Sequence, residues 1–309
     1  MYFPYLRGRQ FELIALKELL ENNLIGDRVV PIVEPVKLTR TFTKTLEMYT
    51  KCGHELALVM NPDVGEFVAK LKEREKSDED VKSILSSIKS DELIQAYLIK
   101  KKISTKLKNR NDYQNLMIIN TNRDCMDNYL SLFDTKSPKF TLIPDDRSFS
   151  RKVKSPKVLL EDHFKRARKN ADYINDIDHV FSEDHIYYKE DGYIGFSDYT
   201  IVGEEYAETG FAPTAVAIHI VYFGKNKELR IRHFVSDNNK DYRNPAGKFG
   251  EALEKLVEWV DKNEIKRTKG LECFIDCYNE KRYPGLGTVK KYSIMHHIEI
   301  MNSYLEEES

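Results

Sequence analysis

The chain has 309 residues, of which 41% are hydrophobic and 32% charged, so it can bury the core of one large domain or two ordinary ones. Its 49 basic and 50 acidic residues leave a formal net charge of -1, which excludes a whole-molecule field for capturing nucleic acid or an anionic membrane and leaves only local patches. No apolar run approaches the roughly 18–20 residues of a membrane span, and the opening MYFPYLRGRQFELIAL lacks the basic-then-apolar layout of a secretion signal, so no membrane contact and a cytoplasmic location are expected.

In chain order, short β-prone apolar runs recur at 2–6 (YFPYL), 29–33 (VVPIV), 55–60 (ELALVM), 94–99 (IQAYLI), 116–119 (LMII), 140–143 (FTLI) and 157–160 (KVLL). Between the early runs lie segments of helical period, clearest over 9–22, where Leu13, Leu16 and Leu20 form a stripe. Alternating strand and helix builds a parallel sheet, because parallel neighbours need a crossover of about a dozen residues or more. Seven such runs suit a barrel better than a small open sheet.

The second half breaks this rhythm. TAVAIHIVYF (214–223) and ELRIRHFV (228–235) flank GKNK, a hairpin signal, and alternation in the second run predicts one apolar face and one wet face carrying Arg230 and Arg232. Phe249, Ala252, Leu253, Leu256 and Val260 mark an amphipathic helix, and Ile294, Ile298, Met301 and Leu305 a closing one. The expected architecture is α/β: a TIM-barrel-like (β/α) core with an antiparallel hairpin insertion near the C-terminal half. It forms one domain over 1–309, with insertions at about 71–92 and 164–193. Whether the hairpin replaces or extends the last strand pairs is left open. Cys52, Cys125, Cys273 and Cys277 match neither a zinc knuckle nor a redox C-x-x-C and are expected to be reduced thiols.

The opening YFPYLRGRQFELIAL followed by VVPIVEPV resembles the phage Beta protein family through Tyr2, Pro4, Leu6, Gly8, Glu12, Ala15, Leu16, Pro31 and Glu34. LLEDHFKRARKNADY, GFSDYTIVGEEYAETGFAPTAVAIHIVYF and RIRHFVSDNN are similar to a related, uncharacterised bacterial family of about the same length. The resemblance implies a bacterial or phage setting, a TIM-barrel-like core and a role in mobile-element or phage-defence loci. It carries over no substrate, cofactor or catalytic residue.

On a barrel, the residues just past the strand C-termini share the face where active sites are built. Those positions are Arg7 and Arg9, Glu34, Asn61, Asn120, Asp145 and Asp146, then Glu161, Asp162 and His163. Converging carboxylates and amides suit Mg²⁺ or Mn²⁺, and arginines suit a phosphate or carboxylate, so the cofactor is left open with a divalent metal as the candidate. Asp198 in GFSDYT follows a short β-prone run whose Gly195 permits close backbone approach. Asp237 ends HFVSD, and His219 shares a small-residue strand face with Ala215 and Ala217. Against each stands a structural role: Glu34 closing a strand, Asp145–Asp146 capping a helix, and His219 satisfied in the core. The basic cluster Lys165, Arg166, Arg168 and Lys169 reads as a solvated helix face, with nucleic acid left uncertain. No P-loop, H-E-x-x-H, G-x-S-x-G or dinucleotide fingerprint occurs.

Two functions of different class are expected. The first is an enzyme on a phosphate-bearing or other anionic substrate, a nucleotide included. Its catalytic residues are Glu34, Asp162 and Asp198, and its substrate-binding residues are Arg7, Arg9, Asn61, His163, His219 and Asp237. The second is a non-catalytic recognition or assembly protein that binds a partner protein.

Overall fold

Seven of the eight strands that enclose the barrel are the apolar runs of the first half. A computed structural model describes residues 1–74, 79–102, 105–207 and 213–308. Its barrel strands are β1 (Tyr5–Leu6), β2 (Ile32–Val33), β3 (Leu56–Val59), β4 (Leu93–Leu98), β5 (Leu116–Ile119), β6 (Phe140–Ile143) and β7 (Lys157–Glu161). After β8 (Asp178–Ser182), which lies elsewhere, β9 (Gly195–Asp198) completes the parallel order β1-β2-β3-β4-β5-β6-β7-β9. The ring closes through a single parallel bridge: the Phe196 N–H donates to Met1 O at 3.0 Å and the Phe3 N–H to Phe196 O at 2.9 Å. Gly195 is required at this seam, since a Cβ there would stand 2.8 Å from Met1 O and 2.7 Å from the Phe3 ring.

Period-two alternation sorts the strands into two surfaces. Tyr5, Ile32, Ala57, Ile94, Met117 and Val158 point into the barrel, where they pack with Phe3, Phe140 and Tyr199. Leu6, Val33, Leu56, Leu58, Ile118 and Leu159 face the surrounding helices. These helices are α1 (Gln10–Glu21), α2 (Arg40–Cys52), α3 (Phe67–Arg74), α4 (Glu79–Ser87), α5 (Thr105–Lys108), α6 (Met126–Phe133), α7 (Arg147–Lys152) and α8 (Asp184–Tyr187). The expected insertion at 71–92 falls on α3, α4 and the approach to β4, and its residues 75–78 lie outside the described ones.

The hairpin neither replaces nor extends barrel strands. β10 (Ala217–Phe223) and β11 (Leu229–Val235) pair antiparallel, and β11 also pairs with β8, giving a separate sheet of order β10-β11-β8. The face expected to be wet is largely covered. Ile218, Ile220 and Phe234 pack against Phe249, Leu253 and Leu256 of α9 (Pro245–Lys262) and Phe274 of α10 (Lys269–Asn279). Arg230 and Arg232 on that face share the carboxylate of Asp178 on β8, at 2.8 and 3.0 Å. The closing helix α11 (Leu286–Glu307) then returns to pack on α1, α10 and β10. Because it has neighbours on both sides it is buried nearly all round, His296, His297 and Asn302 included. It stands where the helix after the eighth barrel strand belongs, so the segment between β9 and α11 is an insertion in the last βα unit. No described helix is long and apolar enough to cross a membrane. All four cysteines are free thiols.

Candidate anion-binding site

The C-terminal ends of β7, β9 and β1 are neighbours around the seam, and the segments that leave them wall a cleft of about 580 Å³. Arg7 and Arg9 come from the turn after β1, and Arg166, Arg168 and Lys169 from the extended segment after β7. Ile201, Val202 and Tyr206 follow β9, and Lys290 reaches in from α11. Among the described residues, six cationic side chains thus line the cleft against one carboxylate, Glu205.

The walls are held by polar contacts that account for most of the carboxylates expected here. Glu34 is fully buried; it accepts from Tyr5 OH at 2.9 Å and the Asp63 N–H at 2.7 Å, and it pairs with the Arg7 guanidinium. Arg7 also donates to Glu204 O, and its guanidinium lies over the Tyr5 and Tyr199 rings at 5.5 and 5.6 Å. Burial alone would lower the Arg7 pKa, but Glu34 beside it holds it above the ordinary arginine value. Asp162 accepts the Glu204 N–H at 2.8 Å and the Phe164 N–H at 3.1 Å. Arg7 and Asp162 therefore hold the backbone of the same residue, Arg7 at its carbonyl and Asp162 at its N–H. Gly203 before it has φ +77°, and its Cα faces Phe164 and Asp162, so the turn needs glycine. Arg9 lies 4.7 Å from the Tyr206 ring centroid and donates to Ala207 O.

What is left without a counter-charge is the cleft's positive content. Among the described residues Arg166 has only the exposed Glu205 as a counter-charge, at 3.4 Å. The side chains of Arg168, Lys169 and Lys290 have no hydrogen-bonded partner among the described residues. Burial pushes the Lys290 ammonium below the usual lysine range; Glu12 opposes this, while Arg9 and Arg166 reinforce it. A cationic cleft with unpaired members is a site whose electrostatic cost is relieved by an anion.

The three expected catalytic carboxylates do not converge. One residue of alternation sets Asp198 apart: Ser197 faces the barrel, and Asp198 faces outward against α11. There it is buried, accepts from Tyr2 OH at 2.9 Å and the Thr200 N–H at 2.7 Å, and lies 3.6 Å from His297 Nε2. The expected substrate contacts disperse similarly. Asn61 ties the end of β3 to the backbone of Leu98, accepting its N–H and donating to its carbonyl. Asp237 pairs with Lys255 at 2.6 Å. His163 turns outward to Asp184 at 2.6 Å, into a separate cavity of about 500 Å³. Arg7 and Arg9 do line the cleft, and His219 lines a smaller cavity of about 190 Å³ beside it. Among the described residues no three His, Cys, Asp or Glu side chains gather to hold a metal ion, so the divalent-metal expectation finds no donor set.

The basic cluster at 165–169 does not lie on a solvated helix face. It runs as irregular chain into a short 3₁₀ turn at Asn170–Asn175, and Arg166, Arg168 and Lys169 face the cleft. Its density of charge was the available signal. Lys290, in TVKKYSIM, carried none, because only the packing of α11 brings it to the mouth.

By fold the chain is a TIM-barrel-like α/β protein, and by site it carries a cationic cleft at the barrel's C-terminal mouth. No family model matches it, and neither a curated protein nor a solved structure matches it.

Proposed function

We propose that the protein binds a phosphate-bearing small-molecule substrate in the basic cleft at the barrel mouth. The observation that carries this reading is that, among the described residues, cationic side chains outnumber carboxylates six to one around one concave site and three of the cations have no hydrogen-bonded partner. Arginine forks match phosphate oxygens, and each charge-assisted hydrogen bond contributes about 1.5–3 kcal/mol. In this reading Glu34 and Asp162 are positioning residues that fix Arg7 and the peptide at Glu204. The contacts to the ligand belong to Arg9, Arg166, Arg168, Lys169 and Lys290.

Isothermal titration with inorganic pyrophosphate tests the reading. The wild type is expected to bind it with an affinity that falls as sodium chloride is added, and R166A/R168A to bind it about a hundredfold more weakly, two contacts at roughly tenfold each. No heat with the wild type, or equal affinity in the variant, overturns it.

One observation favours a second reading, recognition of a partner protein. β8 is an outer strand of its sheet, and Val180 on it and Ile177 and Ile174 before it are 45%, 41% and 55% exposed. Light scattering that finds a dimer in the wild type and a monomer in V180K would support it; a wild-type monomer would remove its basis.

A further inference from the structure

The 190 Å³ cavity that His219 lines is contiguous with the basic cleft: Asn170, Ile201, Pro213 and Lys290 border both. Its character is different. Ile201, Ala217 and Val289 supply apolar walls, and among the described residues no charged side chain lines it beyond the shared Lys290. Its polar groups are few and have capacity to spare. Asn170 donates from Nδ2 to Ala215 O at 3.0 Å, and its Oδ1 has no partner among the described residues. His219 Nδ1 is 2.7 Å from His233 Nδ1, so one ring donates and the other accepts, and His219 Nε2 has no partner among the described residues. Phe164 and Tyr173 stand edge-on to the His219 imidazole, at 5.2 and 4.7 Å, and fix its plane. Burial, His233 and the nearby Lys290 all hold the His219 pKa well below its ordinary value, so it enters neutral.

A cationic cleft opening into a small, mainly apolar chamber with a few free donors and acceptors is complementary to a molecule with a phosphate end and a flat heterocyclic end. We propose that the side cavity is a base subsite and that the ligand of the cleft is a nucleoside phosphate, its phosphates on Arg166, Arg168 and Lys290 and its base between Ile201, Ala217 and Val289. This rests on the reading of the cleft as a phosphate site and adds the class of ligand. A sugar phosphate fits less well, since its ring needs hydrogen bonds around its whole circumference and the apolar walls leave them unmet.

Adenosine, guanosine, cytidine and uridine 5′-diphosphates, titrated beside pyrophosphate, test the proposal because all five carry two linked phosphates. At least one nucleotide is expected to bind the wild type tenfold or more tighter than pyrophosphate. In A217L, which fills the cavity, that advantage is expected to vanish while pyrophosphate affinity is kept. Saturation-transfer NMR of the tightest nucleotide on the wild type gives a variant-free reading: its base protons should receive more saturation than its ribose protons. Pyrophosphate binding as tight as all four nucleotides, or base protons that receive no transfer, overturns the base subsite and leaves the phosphate site standing. Absence of binding by pyrophosphate and nucleotides alike overturns both.

Discussion

Two cavities flank the end of β7, and they carry opposite charge. Among the described residues, the cleft that Arg166, Arg168 and Lys169 line has six cations against one carboxylate. The outer cavity that Glu161 and His163 line also holds Asp145, Glu183, Asp184 and Asp191 and, among the described residues, no lysine or arginine. The polar groups of the first differ from those of the second in how they are engaged. In the acidic cavity Glu161 accepts the Asp145 N–H at 2.7 Å and Asp184 pairs with His163, so part of its charge is spent on local structure. In the basic cleft the carboxylates that brace the wall, buried Glu34 and exposed Asp162, are engaged by Arg7 and by backbone N–H groups, and cations are left over. Charge density alone does not define a site; charge without an internal partner, facing a cavity, does.

The largest expected effect comes from breaking the wall behind the cleft. Glu34 is fully buried and the Arg7 side chain is 13% exposed, so Glu34→Gln leaves a mostly buried guanidinium without its counter-charge and should cost about 3 kcal/mol of stability. Urea denaturation measures it, and a change below about 1 kcal/mol would show that the pair does not brace the mouth.

Lys290→Met sharpens the contrast from the other side. Because the folded-state pKa of Lys290 lies below its unfolded value of 10.5, the charged form is disfavoured by folding. That penalty is fully present at pH values below the folded pKa and is relieved as pH rises through it toward 10.5. Removing the amine should therefore raise the melting temperature near neutral pH, less so at alkaline pH, while weakening pyrophosphate binding about tenfold. A gain in stability with unchanged affinity would mean that the ammonium takes no part in binding.

The smallest effect belongs to the acidic cavity. Burial alone would lower the His163 pKa, but Asp184 raises it above 6.5. Its stabilising contribution is then fully present below pH 6.5 and is lost as pH rises through the folded-state pKa. Asp184→Asn should cost up to about 1 kcal/mol at acidic pH and less at alkaline pH, with pyrophosphate affinity unchanged. A stability difference that does not vary with pH would mean that the pair is not ionised.

The barrel was largely legible because its strands are short apolar runs bounded by polar segments, the pattern of strands buried on both faces. The eighth was harder: GFSD has one large apolar residue, and its place in the ring is set by backbone pairing of Phe196 with Met1 and Phe3 at the start of the chain. β8 was hidden in DHVFS for a related reason, since its partner β11 is almost 50 residues away. The site was half legible. Arg7 and Arg9 followed from the rule that loops after barrel strands meet at one mouth, and Asp198 misled because that rule does not say which way a side chain faces. Arg166 and Arg168 were visible as charge, but their direction depends on an irregular segment with no period to read. Lys290 depends wholly on the packing of α11.

The most direct test of the cleft as an anion site is a crystal structure of the protein soaked in tungstate, whose anomalous signal locates a phosphate-like ion without reference to any reaction. A peak within hydrogen-bonding reach of Arg166, Arg168 or Lys290 is expected. Peaks only at other surface cations, with none in the cleft, would contradict it.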